Sequence, residues 1–505
     1  MKRNFAITSA FVTVVLCIGY IVSFVKEAII ANYFGITSDV DAYTIAIQAP
    51  VLLFSFVSVA IRSVVIPLYS DLIIKKGKPH ADYFISNLIT IVGTFSLLLI
   101  VLGEIFAGGL IYLLAPGFAA ETHQLAVELL RLTLPSIIFT LVSDIVTGLM
   151  NVNKKFILPS MSVLFMNVTV IVSIILLHGQ YGISAACLGQ VIGVFLQMVF
   201  LITIARNNYR YSFVFDARNK DFQGAVKMSL PVLWSISVAE VNTMVNRMVA
   251  SFLFVGSVAS LSYASKINGV FMTLFVSAIS TIVFPLYAES TANNNIEQLS
   301  KRVNFTLSVY AFFLLPLMAF IFCYKKELIT LAFARGAFDT SAIELTKSLL
   351  GCYVIGLIFM ALRENLTKVF YSLKDASTPA KNATLGVILN IVLNLSLPFI
   401  MGVKGLAIAT SITAVFISIR LLYQLKKKYY YMDLGFFVNN ILKISIATIV
   451  LFGILMLLKF YLNGLNVIIV LCIALLVSIL VYTVLVYLFR VGVKDTMLKM
   501  LLKKS

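Results

Sequence analysis

Apolar residues in this chain run on for twenty or more positions at a time, and the few charged residues gather in the gaps between the runs. A run of that length crosses the hydrocarbon core of a bilayer as one helix. Backbone in lipid has to satisfy its own hydrogen bonds, which leaves helices or closed barrels, and these runs are too long and continuous for barrel strands. The pattern predicts an all-α polytopic membrane protein of about fourteen transmembrane helices. They fall near residues 5–33, 40–70, 83–115, 123–150, 156–177, 183–206, 223–254, 257–288, 303–323, 341–371, 379–400, 403–424, 436–460 and 464–489. The first run continues past residue 24 without a small-residue cleavage site, so it reads as a permanent span and not as a secretory signal.

The runs also repeat. Ile61 to Tyr69 (IRSVVIPLY) returns as Ile279 to Tyr287 (ISTIVFPLY), Phe34-Gly35 as Val255-Gly256, and Asn167 and Gly182 as Asn390 and Gly405. The shift is six spans, an even number, so both copies keep the same orientation in the bilayer. The expected organisation is an N-lobe over residues 1–210 and a C-lobe over 211–430, two parallel six-helix lobes. A C-terminal helix pair and basic tail follow over 431–505 and lie outside the repeat. Two such lobes rocking about a shared cavity would form a carrier; duplication also makes bundles that transport nothing.

Composition agrees with the membrane reading: 61% of the 505 residues are hydrophobic, 12% are charged, and the mean hydropathy is +1.02. The net charge of +18 follows topology. Lys2, Arg3, Lys75, Lys76, Lys78, Lys154, Lys155, Arg206, Arg210, Arg218, Lys220, Lys301, Arg302, Lys374, Lys426 to Lys428 and the tail with Arg490, Lys494, Lys499, Lys503 and Lys504 all fall on one side. The positive-inside rule makes that side cytoplasmic and puts both termini inside. The excess positive charge therefore faces anionic lipid heads and gives no reason to expect nucleic acid as a partner. The loop with Lys325, Lys326 and Arg335 is the exception to the alternation.

Charges within spans carry the candidate chemistry, because an ionised group at the bilayer centre costs roughly 2.5–3.5 kcal/mol on insertion scales and persists when paired or used. Lys26, Glu27, Asp41, Arg247 and Lys266 stand out, and the repeat sets Lys26 against Arg247 at equivalent depth. Lys26, Arg247 and Lys266 suit a phosphate or pyrophosphate group as substrate-binding cations; Glu27 and Asp41 are the candidates for coupling or gating. A plainer reading makes Lys26, Glu27 and Asp41 interhelical ion pairs. Arg62, Glu104, Arg131, Asp144, Glu240, Arg363, Glu364 and Lys443 carry less weight, several being near span ends where long side chains snorkel. Cys17, Cys187, Cys323, Cys352 and Cys472 are scattered without metal-ligand spacing, and His80, His123 and His178 lie near loops without a triad. With no Walker loop, His-rich site or nucleophile elbow, no catalytic residue, metal or cofactor is expected.

The motifs KEAIIANYFG (Lys26 to Gly35) with Asp41-Ala-Tyr43, Val65-Ile-Pro67 and GSVASLSYASK (Gly256 to Lys266) come in that order along the chain. FARGAFD (Phe333 to Asp339), Val369-Phe-Tyr371, Thr378-Pro379 and GLAIATS (Gly405 to Ser411) follow. Together they resemble the MurJ/MviN lipid II flippases, within the superfamily of multidrug, oligosaccharidyl-lipid and polysaccharide exporters. The resemblance implies a non-enzymatic flippase in the cell inner membrane that moves an undecaprenyl-pyrophosphate-linked glycan precursor, lipid II for peptidoglycan synthesis, by alternating access. It implies a coupling ion or the membrane potential as the energy source, and the lipid-linked glycan, membrane lipids and cell-wall synthesis machinery as partners. The family's cavity cations match Lys26 and Lys266, with Lys where Arg is usual, and its acidic residue at the start of the second span matches Asp41. Tyr20 and Phe54 stand where the family often has further arginines, which leaves a flippase for exopolysaccharide or another oligosaccharide-lipid as the alternative. A drug/cation antiporter and a membrane glycan transferase are further alternatives, the first disfavoured by the cations and the second by the absence of converging carboxylates or histidines.

Overall fold

The computed structural model describes residues 2–206, 209–428 and 434–493. The basic tail with Lys494, Lys499, Lys503 and Lys504 lies outside the described residues, as do the side chains of Lys2, Arg3 and Arg62. Helices account for nearly all of the described chain: α1 (Lys2–Phe34), α2 (Ser38–Ala60), α3 (Ile66–Lys76), α4 (Lys78–Ile105), α5 (Ala107–Leu114), α6 (Ala120–Thr133) and α7 (Ser136–Val152) come first. Then follow α8 (Ile157–Tyr181), α9 (Ser184–Ala205), α10 (Lys220–Ser251), α11 (Ser257–Phe271), α12 (Ala278–Ala292) and α13 (Ile296–Phe333). The chain ends with α14 (Thr340–Ser372), α15 (Ser377–Ser396), α16 (Pro398–Met401), α17 (Val403–Lys428), α18 (Gly435–Tyr461) and α19 (Val467–Leu488).

Each expected span has its helix, and the apparent surplus comes from breaks inside spans. Turns of π-helix at Ile61–Val65 and Met272–Ser277 separate α2 from α3 and α11 from α12. Both sit in the second helix of a repeat, upstream of Pro67 and Pro285, where an inserted residue bends a helix without ending it. Among the described residues nine helices are singly long and apolar enough to cross a membrane, and α6 with α7, bent by 41° at a short break, is long and apolar enough only as a pair.

The contacts resolve two compact units, one of Met1–Ala259 with Arg335–Phe338, the other of Ser260–Ala334 with Asp339–Ser505. In the first, α9 packs on α8 through Gly189 and Gly193: a Cβ at either would come within 2.7 Å of the α carbon of Val170 or 2.6 Å of that of Met166. Small residues four apart bring two backbones together where no hydrophobic driving force separates helix from lipid. In the second, Gly356 of α14 meets Ser411 of α17 in the same way, and the Ser411 hydroxyl donates to the Cys352 carbonyl at 2.7 Å. The C-terminal pair belongs to this unit and packs on α13. Lys459 pairs with Glu327 at 2.9 Å, the Tyr324 hydroxyl donates to the Leu455 carbonyl at 3.2 Å, and the Tyr482 hydroxyl to that of Phe312 at 2.8 Å.

Candidate functional site

Lys26 and Glu27 lie on the buried side of α1, 5% and 7% exposed, with Nζ 3.3 Å from Oε1. Adjacent helix residues point about 100° apart, so the pair meets only because both stems are long. Two opposite charges out of water are tolerable together and costly singly. The ion-pair reading of these two residues is thus present in the structure, and it shields the Lys26 charge in this conformation.

Asp41 does something different. It sits in the first turn of α2, 3% exposed, and its carboxylate accepts the backbone N–H groups of Gly256 at 2.6 Å and Ala259 at 2.7 Å. Those are donors at the start of α11, which have no partner inside their own helix. A carboxylate there also meets the positive end of the helix dipole. Asp41 therefore caps α11 from a helix more than two hundred residues earlier. Gly256 permits the approach: its φ is +87°, and a Cβ would lie 2.2 Å from the Ile36 carbonyl oxygen.

The same corner of this unit explains two other motifs. Gly35 ends α1 at φ +62° against the Ala337 carbonyl, and Gly336 at φ +54° leaves room for Asn32, whose carbonyl accepts the Ala337 N–H at 2.8 Å. Within FARGAFD, Arg335–Phe338 is seated on the end of α1 in the first unit, and in the second Asp339 caps α14 through the Ala342 N–H at 2.8 Å. That bond and the Ser341 hydroxyl hold the Asp339 carboxyl below the usual range. Gly117 closes in on the end of α10, its N–H donating to the Ser251 hydroxyl at 3.0 Å.

Arg247 reaches from α10 to α2, donating to the Thr44 carbonyl at 3.1 Å. Lys266 lies in the third turn of α11, which starts at Ser257, and it is exposed, in the second unit. That unit also holds a cavity of about 450 Å³ lined by Met272, Phe284, Met360, Arg363, Glu364 and Lys368 among others. Arg363 and Glu364, given little weight in the sequence, line it, with Lys368 3.3 Å from Glu364. Among the other low-weight charges in the first unit, Glu240 accepts from Ser55 at 3.0 Å, and Arg131 lies 3.7 Å from Glu104. Tyr20 is exposed on α1 and Phe54 buried on α2.

Sequence reasoning missed the strap between α9 and α10. Residues 209–219 run without regular structure, and α4 holds them in place. Tyr209 bonds to Ser86 at 2.7 Å and Tyr211 to Thr90 at 2.8 Å, while the Asn87 amide pairs with both backbone groups of Asp216, at 2.8 and 2.7 Å. At its end Asp221 takes Lys76 and His80, each at 2.8 Å. The buried polar triplet Ser86, Asn87 and Thr90 inside a hydrophobic run was the available signal. The other two histidines bond to helix carbonyls, His123 to Gly108 and His178 to Ile174. No group of three or more His, Cys, Asp or Glu residues is placed to hold a metal among the described residues.

The sequence model of the family described as lipid II flippase MurJ matches residues 30–478. The chain belongs to the lipid II flippase MurJ family. Relatives include a probable lipid II flippase MurJ of Thermotoga maritima, 29% identical over 444 residues covering 87% of this chain and 88% of that one. The lipid II flippase MurJ of Thermosipho africanus is 29% identical over 437 residues, 86% of this chain and 87% of that one. Among solved structures, lipid II flippase MurJ in an inward closed conformation superposes with a TM-score of 0.83 at 27% identity, covering 96% of this chain and 99% of that one. An inward-facing MATE family multidrug resistance transporter shares the fold at 15% identity, with a TM-score of 0.64 over 82% of this chain and 98% of its own. Among the motifs that carry the family resemblance, KEAIIANYFG, Asp41-Ala-Tyr43, GSVASLSYASK and FARGAFD supply the glycines and the carboxylate of the corner around Asp41.

Proposed function

We propose that this membrane protein carries lipid II for peptidoglycan synthesis across the cytoplasmic membrane by alternating access. The observation that carries the reading is the full-length agreement with MurJ, 27% identity at a TM-score of 0.83. In this reading it is a carrier and makes no covalent change to its cargo. Lys26, Arg247 and Lys266 bind the pyrophosphate, since ammonium and guanidinium groups give charge-assisted donors to its oxygens. Glu27 holds Lys26 neutralised until an incoming diphosphate competes for the ammonium. Asp41 gates: releasing the α11 N–H groups frees the end of that helix to move. The six-helix lobes over 1–210 and 211–430 rock while the prenyl tail stays in lipid, both termini face the cytoplasm, and an ion gradient or the membrane potential drives the cycle. Cell-wall synthesis machinery is the expected partner.

Complementation tests this directly. In cells depleted of their essential lipid II flippase, the wild-type chain is expected to restore growth and externally accessible lipid II, and well-expressed Lys26→Ala and Lys266→Ala variants to fail. Absence of rescue by a well-inserted wild-type chain would transfer the proposal to an exopolysaccharide or other oligosaccharide-lipid, the reading favoured by Lys in place of Arg and by Tyr20 and Phe54.

A further inference from the structure

The strap that ties α9 to α10 also forms one wall of a cavity of about 990 Å³ in the first unit. Its apolar floor comes from three helices: Ile89 of α4, Val142 and Val146 of α7, and Ile202 of α9. Arg206, at the end of α9, and Arg210, in the strap, line it, both exposed, and no carboxylate is among its described lining residues. Among the described residues neither guanidinium has an acidic partner, in contrast to Lys76, which spends its charge on Asp221. The strap is fixed there, since both its tyrosines and Asp216 are bonded to α4, so Arg210, between those tyrosines, is presented from an anchored backbone, and Arg206 from the end of α9. Further along, Phe213 and Phe215 are 79% and 58% exposed. Aromatic rings beside basic residues at the end of a membrane helix are the composition of the headgroup layer.

We infer that this cavity is a binding site for an anionic diacyl phospholipid. Its phosphate sits between Arg206 and Arg210, and an acyl chain lies on the Ile89, Val142, Val146 and Ile202 floor. A free anion would gain nothing from that floor, and a zwitterionic choline lipid offers the same phosphate with its charge offset by the adjacent trimethylammonium group. An ordered strap with a filled cavity behind it would hold α4, α7, α9 and the start of α10 as one body, so the lipid is expected to stabilise the unit whatever cargo the carrier moves.

Native mass spectrometry and thermal unfolding of the purified full chain in neutral detergent, with dioleoylphosphatidylglycerol or dioleoylphosphatidylcholine added, test this. With two arginines near the anionic headgroup, the wild type is expected to hold the glycerol lipid roughly ten- to thirtyfold more tightly than the choline lipid. An Arg206→Gln/Arg210→Gln variant should lose that preference while unfolding at the wild-type temperature without lipid, and Arg206→Lys/Arg210→Lys should keep most of it. A preference retained by the double glutamine variant would overturn the assignment. So would displacement of the bound lipid by inorganic phosphate alone. Competition by undecaprenyl diphosphate that disappears in the glutamine variant would give the cavity to the cargo and equally sink the phospholipid proposal.

Discussion

Gly336 and Asp41 show how much of this corner depends on single side chains, one absent and one charged. Gly336→Ala would put a methyl group 2.2 Å from the Asn32 carbonyl in a left-handed backbone. The expected cost is roughly 1–3 kcal/mol, read as a fall in unfolding temperature in detergent. Gly402→Ala is the control: its φ is +57° but nothing lies within 4 Å of the added carbon, so only the backbone penalty applies and the loss should be smaller. For the buried pair, Lys26→Met leaves the Glu27 carboxylate without the ammonium beside it and is expected to cost about 3–5 kcal/mol. Adding Glu27→Gln should recover much of that stability but no lipid II transport. Recovery of transport by the double variant would reduce Lys26 to a structural role.

At the scale of elements, the strap and the breaks within spans matter most. Asn87→Ala removes a side chain that satisfies both backbone groups of Asp216, and hydrogen exchange should rise across residues 211–218 with little change in α8 or α9. Asp221 adds a pH dependence. Hydrogen bonds from Lys76, then from His80, hold its carboxyl below the usual range. A depressed folded value means that the contribution is complete above the unfolded value of about 3.9 and is lost as pH falls through the lower folded value. Wild type should therefore unfold at a higher temperature than Asp221→Asn at pH 6, with the gap closing as the pH drops below about 4. A gap undiminished between pH 6 and pH 3 would show that charge on Asp221 is not what joins α3, α4 and α10.

For the whole molecule, the helix pattern, the duplication and the family were legible in the sequence, because each is written locally. An apolar run long enough to cross a bilayer admits one backbone solution, and a repeated Pro-Leu-Tyr motif reports duplication without any contact being known. The site was legible in part. Lys26, Glu27, Asp41 and Arg247 stood out as charges inside apolar runs, and the structure gives all four buried or half-buried partners in the first unit. The strap was read only as charged connection, since its order comes from Ser86, Asn87 and Thr90 more than a hundred residues away.

What the amino-acid order determined alone is that this chain is helical, membrane-embedded, internally duplicated and a relative of the lipid II flippases, for hydropathy and motif identity need no partner. Tertiary structure decided the rest: that Glu27 lies against Lys26, that Asp41 caps α11 and not its own helix, and that FARGAFD grips the end of α1. It also left Arg206 and Arg210 facing an apolar cavity while Lys76 is neutralised. A charged side chain carries its charge in any sequence, but whether that charge is capped, paired or free depends on which distant backbone or carboxylate the fold brings within about 3 Å of it.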